Sequence, residues 1–208
     1  MRKKLNLPTY SDINFYLNEN KKFYIAFFLS LFFGIVIGMF VVFSNDSYLE
    51  LATSNGRNLI SVINGTTSVG SYFWKQLLSF VFPLIILFVL NLNFYVGLVS
   101  YVLVSYQSML FVMSMSSVVS IYGISGILNV IFVMFPVNLL YLCLLIFFAV
   151  TCSKRSFDAM KYKYFGYGFG DDGFLIKLLI GFIGVIVLSI LATIIYPLIL
   201  KNAIFMIF

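Results

Sequence analysis

Residues 23–43 form a run of 21 positions without a charge, in which Tyr24 and Ser30 carry the only hydroxyls. A helix of ~20 residues at ~1.5 Å each spans the ~30 Å hydrocarbon core of a bilayer, so a run of this kind is a span by length and chemistry. Four more runs follow, at about 73–90, 94–116, 127–151 and 174–200. Only 10% of the residues are charged, against about a quarter in soluble domains, which leaves too little polar surface to face water. The expected fold is an all-α, polytopic membrane helical bundle of about five transmembrane helices, one integral membrane domain over 1–208. The first run is longer than the apolar core of a signal peptide and no small-x-small cleavage site follows it, so it reads as an uncleaved span.

The cations orient this bundle. With the N-terminus inside, segment 1–22, the basic loop 152–173 and Lys177 hold ten of the 13 Lys and Arg residues. The external side holds three: Arg57 and Lys75 in the polar segment 44–75, and Lys201 near the end. That asymmetry is the positive-inside pattern, and it predicts cytoplasmic 1–22 and 152–173 with external 44–75. The net charge of +6 therefore points to anionic lipid headgroups as partners and not to nucleic acid. Residues 91–93 (Asn-Leu-Asn) carry no charge, so spans two and three either cross fully or form a re-entrant pair.

Chemistry at membrane depth is scarce. The seven acids, Asp12, Glu19, Asp46, Glu50, Asp158, Asp171 and Asp172, all fall outside the apolar runs. Proton relays and water-activating sites need ionisable groups within the bundle, so the expectation is a protein that is not an enzyme. There is no His, and Cys143 and Cys152 stand about 13 Å apart on one helix, beyond disulfide reach. No metal or other cofactor is expected.

Four features remain as candidates. Gly34 and Gly38 form G-x-x-x-G, a spacing that admits a close neighbouring helix, either from a partner protein or from this bundle. Gly181 and Gly184 invite the same reading. Pro136 interrupts span four, and Asn138 beside it is placed to bond the freed backbone or a facing helix. Span three carries Ser105 and Ser108 at i, i+3, which suit either a polar cavity or helix-to-helix bonding. Residues 117–126 read as an uncharged Ser/Gly connection. In the external segment, Leu59, Val62 and Ile63 share a helix face, with Tyr48, Leu51 and Ala52 as a possible second. Asn45 and Asn64 head N-x-[ST] triplets, and a short interfacial helix is expected near 12–17.

The order of these features resembles the stage II sporulation protein M family of bacterial membrane proteins. The matching residues are Asn18-Glu19-Asn20, the span with Gly34 and Gly38, and Phe73-Trp74-Lys75-Gln76 at the end of the external segment. Gly126-Ile127-Leu128, Phe135-Pro136-Val137-Asn138-Leu139, Tyr196-Pro197 and Leu200-Lys201 complete the match. The resemblance implies a multi-pass protein of the bacterial cytoplasmic membrane. It would act as a non-enzymatic scaffold that recruits membrane-anchored peptidoglycan-degrading enzymes, in forespore engulfment or related envelope remodelling. The competing expectation is the membrane subunit of a transporter driven by a separate ATPase. A polar cavity around Asn129, Asn138 and the span-three serines would favour transport.

Overall fold

The computed structural model describes residues 18–44, 69–91, 97–165 and 173–205, which are helical throughout apart from turns, with no strand among them. The helices are α1 (Lys21–Ser44), α2 (Val69–Asn91), α3 (Gly97–Asn129), α4 (Phe135–Phe165) and α5 (Phe174–Phe205). A π-helical turn, Val130–Met134, joins α3 to α4. All five helices are long and apolar enough to cross a membrane. The suggested helix at 12–17, the helix faces and N-x-[ST] triplets within 45–68, and the Gly-rich stretch 166–170 lie outside the described residues.

α4 is the axis of the bundle. Tyr141, Leu142, Leu145, Ile146, Phe148, Ala149, Val150 and Cys152 are buried on it, so it is apolar on nearly every face, as a helix surrounded by others must be. α2 and α5 pack against it and against each other. Phe80 of α2 stacks on Tyr141, with ring centroids 4.3 Å apart, and the Tyr141 hydroxyl donates to the Phe80 carbonyl at 3.4 Å. Phe148 meets Phe182 of α5 edge to face at 5.4 Å. α1 stands at the periphery, packed chiefly on α3, and turns Phe28, Leu29, Phe32, Phe33 and Phe40 outward. Those faces belong to lipid, which solvates an exposed Phe as readily as a core does.

Three boundaries differ from the sequence expectation. The first is 117–126: the chain does break here, as expected, but only at Gly123, whose φ of 57° and ψ of −128° are open only to glycine, with helix on either side. Gly126, beyond the break, then lies so close to the turn before it that an added Cβ would come within 2.9 Å of Val119 Cα. The corner is therefore a helical hairpin with no loop. The second is the basic loop 152–173, which is helical to Phe165. At 31 residues α4 is about 46 Å long, some 16 Å more than the hydrocarbon needs, so its last turns carry Lys161, Tyr162, Lys163 and Tyr164 out of the lipid as a solvated stub. The third is span five, which runs on past Leu200 to Phe205.

Candidate functional site

The small-residue face of α1 is wider than its two glycines. Ser30, Gly34 and Gly38 recur every fourth residue and so form one stripe, and the stripe faces α3 of the same chain. A Cβ on Gly34 would overlap the Ser105 carbonyl oxygen and the Ser108 Oγ. One on Gly38 would stand 3.1 Å from the Met109 carbonyl oxygen. The backbones meet closely because nothing projects between them. Below the glycines, Ser105 Oγ donates to the Ser30 carbonyl at 2.8 Å, and Ser30 Oγ donates to the Tyr101 carbonyl. The two hydroxyl oxygens are 2.8 Å apart; each has one proton to donate, so the cluster alternates among these bonds. Phe27 stacks on Tyr101 at 4.2 Å and closes the seam toward the helix start.

This geometry answers the choice left by the sequence for Gly34 and Gly38: the neighbouring helix is α3, and the groove is filled. An intermolecular partner seated on these glycines is not compatible with that packing. Ser108 donates to the carbonyl of Ser105 at 2.9 Å, within its own helix. The span-three serines are thus spent on α1 and on their own backbone and do not line a cavity at this seam. Gly181 and Gly184 face α4 in the same manner, against Phe148 and Leu144.

Pro136 is exposed and sits two residues beyond the π turn. Its ring cannot approach the carbonyl four residues back, Phe132, and the wider π turn accommodates that clash without ending the helix. Asn138 is half-buried, and among the described residues no hydrogen bond to its amide is seen.

A second constellation, which the sequence does not single out, lies where the start of α1, the end of α4 and the start of α5 meet. Lys154 Nζ donates to Glu19 Oε1 at 2.8 Å, Phe23 packs on Phe157 at 5.5 Å, and the Arg155 guanidinium lies 3.9 Å over the ring of Phe174. Asn20 caps α1 through its carbonyl, which accepts from the backbone N–H groups of Phe23 and Tyr24. Ser153 is fully buried here, and its hydroxyl has no hydrogen-bond partner among the described residues. Arg155 and Lys154 are visible in the sequence as charges, but only three-dimensional proximity couples them to Glu19 and Phe174. Cys143 is exposed and Cys152 buried, and among the described residues no three His, Cys, Asp or Glu side chains gather to hold a metal. No family model matches this chain, and neither the curated proteins nor the solved structures yield a match.

Proposed function

We propose that this chain is a non-enzymatic scaffold of the bacterial cytoplasmic membrane, as its resemblance to the stage II sporulation protein M family implies. In this reading it gathers membrane-anchored peptidoglycan-degrading enzymes for engulfment or related envelope remodelling. The observation that favours a scaffold over a transporter is the closed α1–α3 seam. The hydroxyls that would otherwise line a solute path are bonded across the seam or to their own helix. Since α3 fills the glycine groove, a partner must bind elsewhere, on the polar segment 44–75 or on the outer faces of the bundle.

The test is recovery of the tagged full-length protein in mild detergent, followed by mass spectrometry. Enrichment of a membrane-anchored peptidoglycan hydrolase supports the scaffold. Enrichment of an ATPase in stoichiometric amount replaces it with the transporter subunit. Orientation is tested separately in a background with Cys143 and Cys152 replaced. Ser54→Cys should react with an impermeant thiol reagent in intact cells, whereas Lys163→Cys, on the exposed stub of α4, should react only after lysis. The opposite pattern inverts the topology.

A further inference from the structure

The hairpin that joins α3 to α4 stands above its neighbours. Ser30 bonds to Tyr101, and Gly34 and Gly38 meet Ser105 and Met109, each pair 71 residues apart along the chain. α1 and α3 therefore run parallel and in step. The contacts one turn on, Ser108 at Gly34 and Val112 at Gly38, bracket the register. Ser44, where the apolar run of α1 gives way to Asn45 and Asp46, thus stands level with the stretch of α3 from Met115 to Val118. Gly123 lies roughly five to eight residues further out, about 8–12 Å at the helical rise. The headgroup layer is only ~5–7 Å deep beyond the hydrocarbon, so the corner emerges from the membrane on the side that holds Ser44.

What emerges is apolar. Residues 116–129 carry no charge. Beyond the corner Gly126 is turned back against Val118 and Val119, and Ile124, Ile127 and Leu128 stand on the opposite face. All three are exposed, Ile124 by 80%. Lipid tails solvate such residues within the bilayer but not at the height of the corner.

The topology supplies an occupant. α1 packs on α3 and α4, and α2 on α3, α4 and α5, so α3 and α4 stand between the end of α1 and the start of α2. Residues 45–68 connect those two ends and must pass across the outer end of α3 and α4 or around it. Neighbouring helix axes lie ~8–10 Å apart, and a connection of this length reaches ~36 Å even if wholly helical, so the direct route is open to it. By sequence it carries Leu59, Val62 and Ile63 at i, i+3 and i+4, an apolar face of matching size. We propose that the connection 45–68 docks this face on Ile124, Ile127 and Leu128. The hairpin is then a pedestal for that segment, and the contact depends neither on the scaffold reading nor on which side of the membrane is external.

Cross-linking in native membranes tests the contact, in the background with Cys143 and Cys152 replaced. Ile124→Cys paired with Leu59→Cys or Val62→Cys should form an intrachain disulfide under mild oxidation, seen as a monomer of altered mobility. Ile124→Cys paired with Ser61→Cys, on the opposite helix face, should cross-link roughly fivefold less or weaker still. In a second measurement Ile124→Cys alone is labelled with an impermeant maleimide in opened membranes. Replacing Leu59, Val62 and Ile63 together by Ser should raise its labelling rate roughly tenfold or more, because undocking exposes the thiol. Cross-linking without preference between the two faces would overturn the proposal. A disulfide-linked dimer would overturn it in favour of a second copy on the hairpin. A thiol at 124 that labels equally in both backgrounds would overturn it as well, the corner being then either bare or sunk in lipid. If the serine variant loses its monodispersity, the cross-linking pattern alone decides.

Discussion

Two seams hold this bundle, and they are built on opposite rules. α1 meets α3 through Ser30, Gly34 and Gly38, where side chains are nearly absent and the backbones themselves are in contact. α4 meets α2 and α5 through Tyr141, Phe80, Phe148 and Phe182, where large rings fill the space between backbones. In a membrane no hydrophobic force separates helix from lipid, so each seam must win by dispersion contact and hydrogen bonds. The small-residue seam gains contact by proximity and has no tolerance for added atoms. The aromatic seam gains it by volume and is sensitive to atoms removed. The two should therefore fail under opposite substitutions.

The largest expected effect follows from adding bulk to the first seam. Gly34→Ile with Gly38→Ile should detach α1 from α3 and abolish monodisperse protein in detergent. Overpacking costs ~1–3 kcal/mol per site where side chains can shift, and here the obstacle at Gly34 includes backbone. Single alanines should grade the effect, with Gly34→Ala worse than Gly38→Ala. Gly70→Ala, whose added Cβ would meet no packing neighbour within 4 Å among the described residues, should be neutral. Equal stability of all three would show that α1 and α3 stand further apart.

Removing bulk from the second seam should come next. Phe148 is fully buried, and Phe148→Ala should cost about 3–5 kcal/mol in denaturant titration. Gly181 lies against the same ring, at 2.7 Å from a would-be Cβ to Phe148 Cδ2. Gly181→Ala should thus be harmful alone and much less so beside Phe148→Ala, a coupling on the order of 0.5–3 kcal/mol. Additive effects would show that the ring does not control this approach.

The hydrogen bonds should count for less. Ser105→Ala removes the hydroxyl that links α3 to Ser30, and the expected loss is about 0.6 kcal/mol and at most ~1.7. Smallest of all is Glu19→Gln, which discharges the Lys154 pair. Half of the glutamate side chain is exposed, and solvent limits such pairs to ~0.2–1 kcal/mol. A loss above that range would mark the basic end as a structural clasp.

The apolar spans are legible in the sequence because about twenty residues without a charge leave a helix no face to turn to water. Their ends are less so. Lys154, Arg155, Lys161 and Lys163 read as a loop because hydropathy registers where lipid stops, whereas a helix stops only where its backbone is broken or capped. The turn at Gly123 falls within the connection that the sequence marks at 117–126, but Ser and Gly are as compatible with helix as with a loop and do not show that a single residue makes it. The Gly34 and Gly38 spacing announces a close neighbour but not its identity. The complementary face of α3, Ser105 and Met109, has no signature beyond modest size and one hydroxyl.

The distance along the chain between the two halves of the first seam has a consequence in time. Ser30 and its acceptor on Tyr101 are 71 residues apart. At ~5–20 residues per second, a ribosome needs roughly 4–14 s to deliver the second after the first. Throughout that interval α1 lies in the bilayer with a bare backbone stripe and an unpaired hydroxyl, adhesive to any helix that drifts past. Nascent α1 must be kept from pairing with the wrong neighbour until its own arrives. The protein's most exacting contact is therefore the one its synthesis leaves waiting.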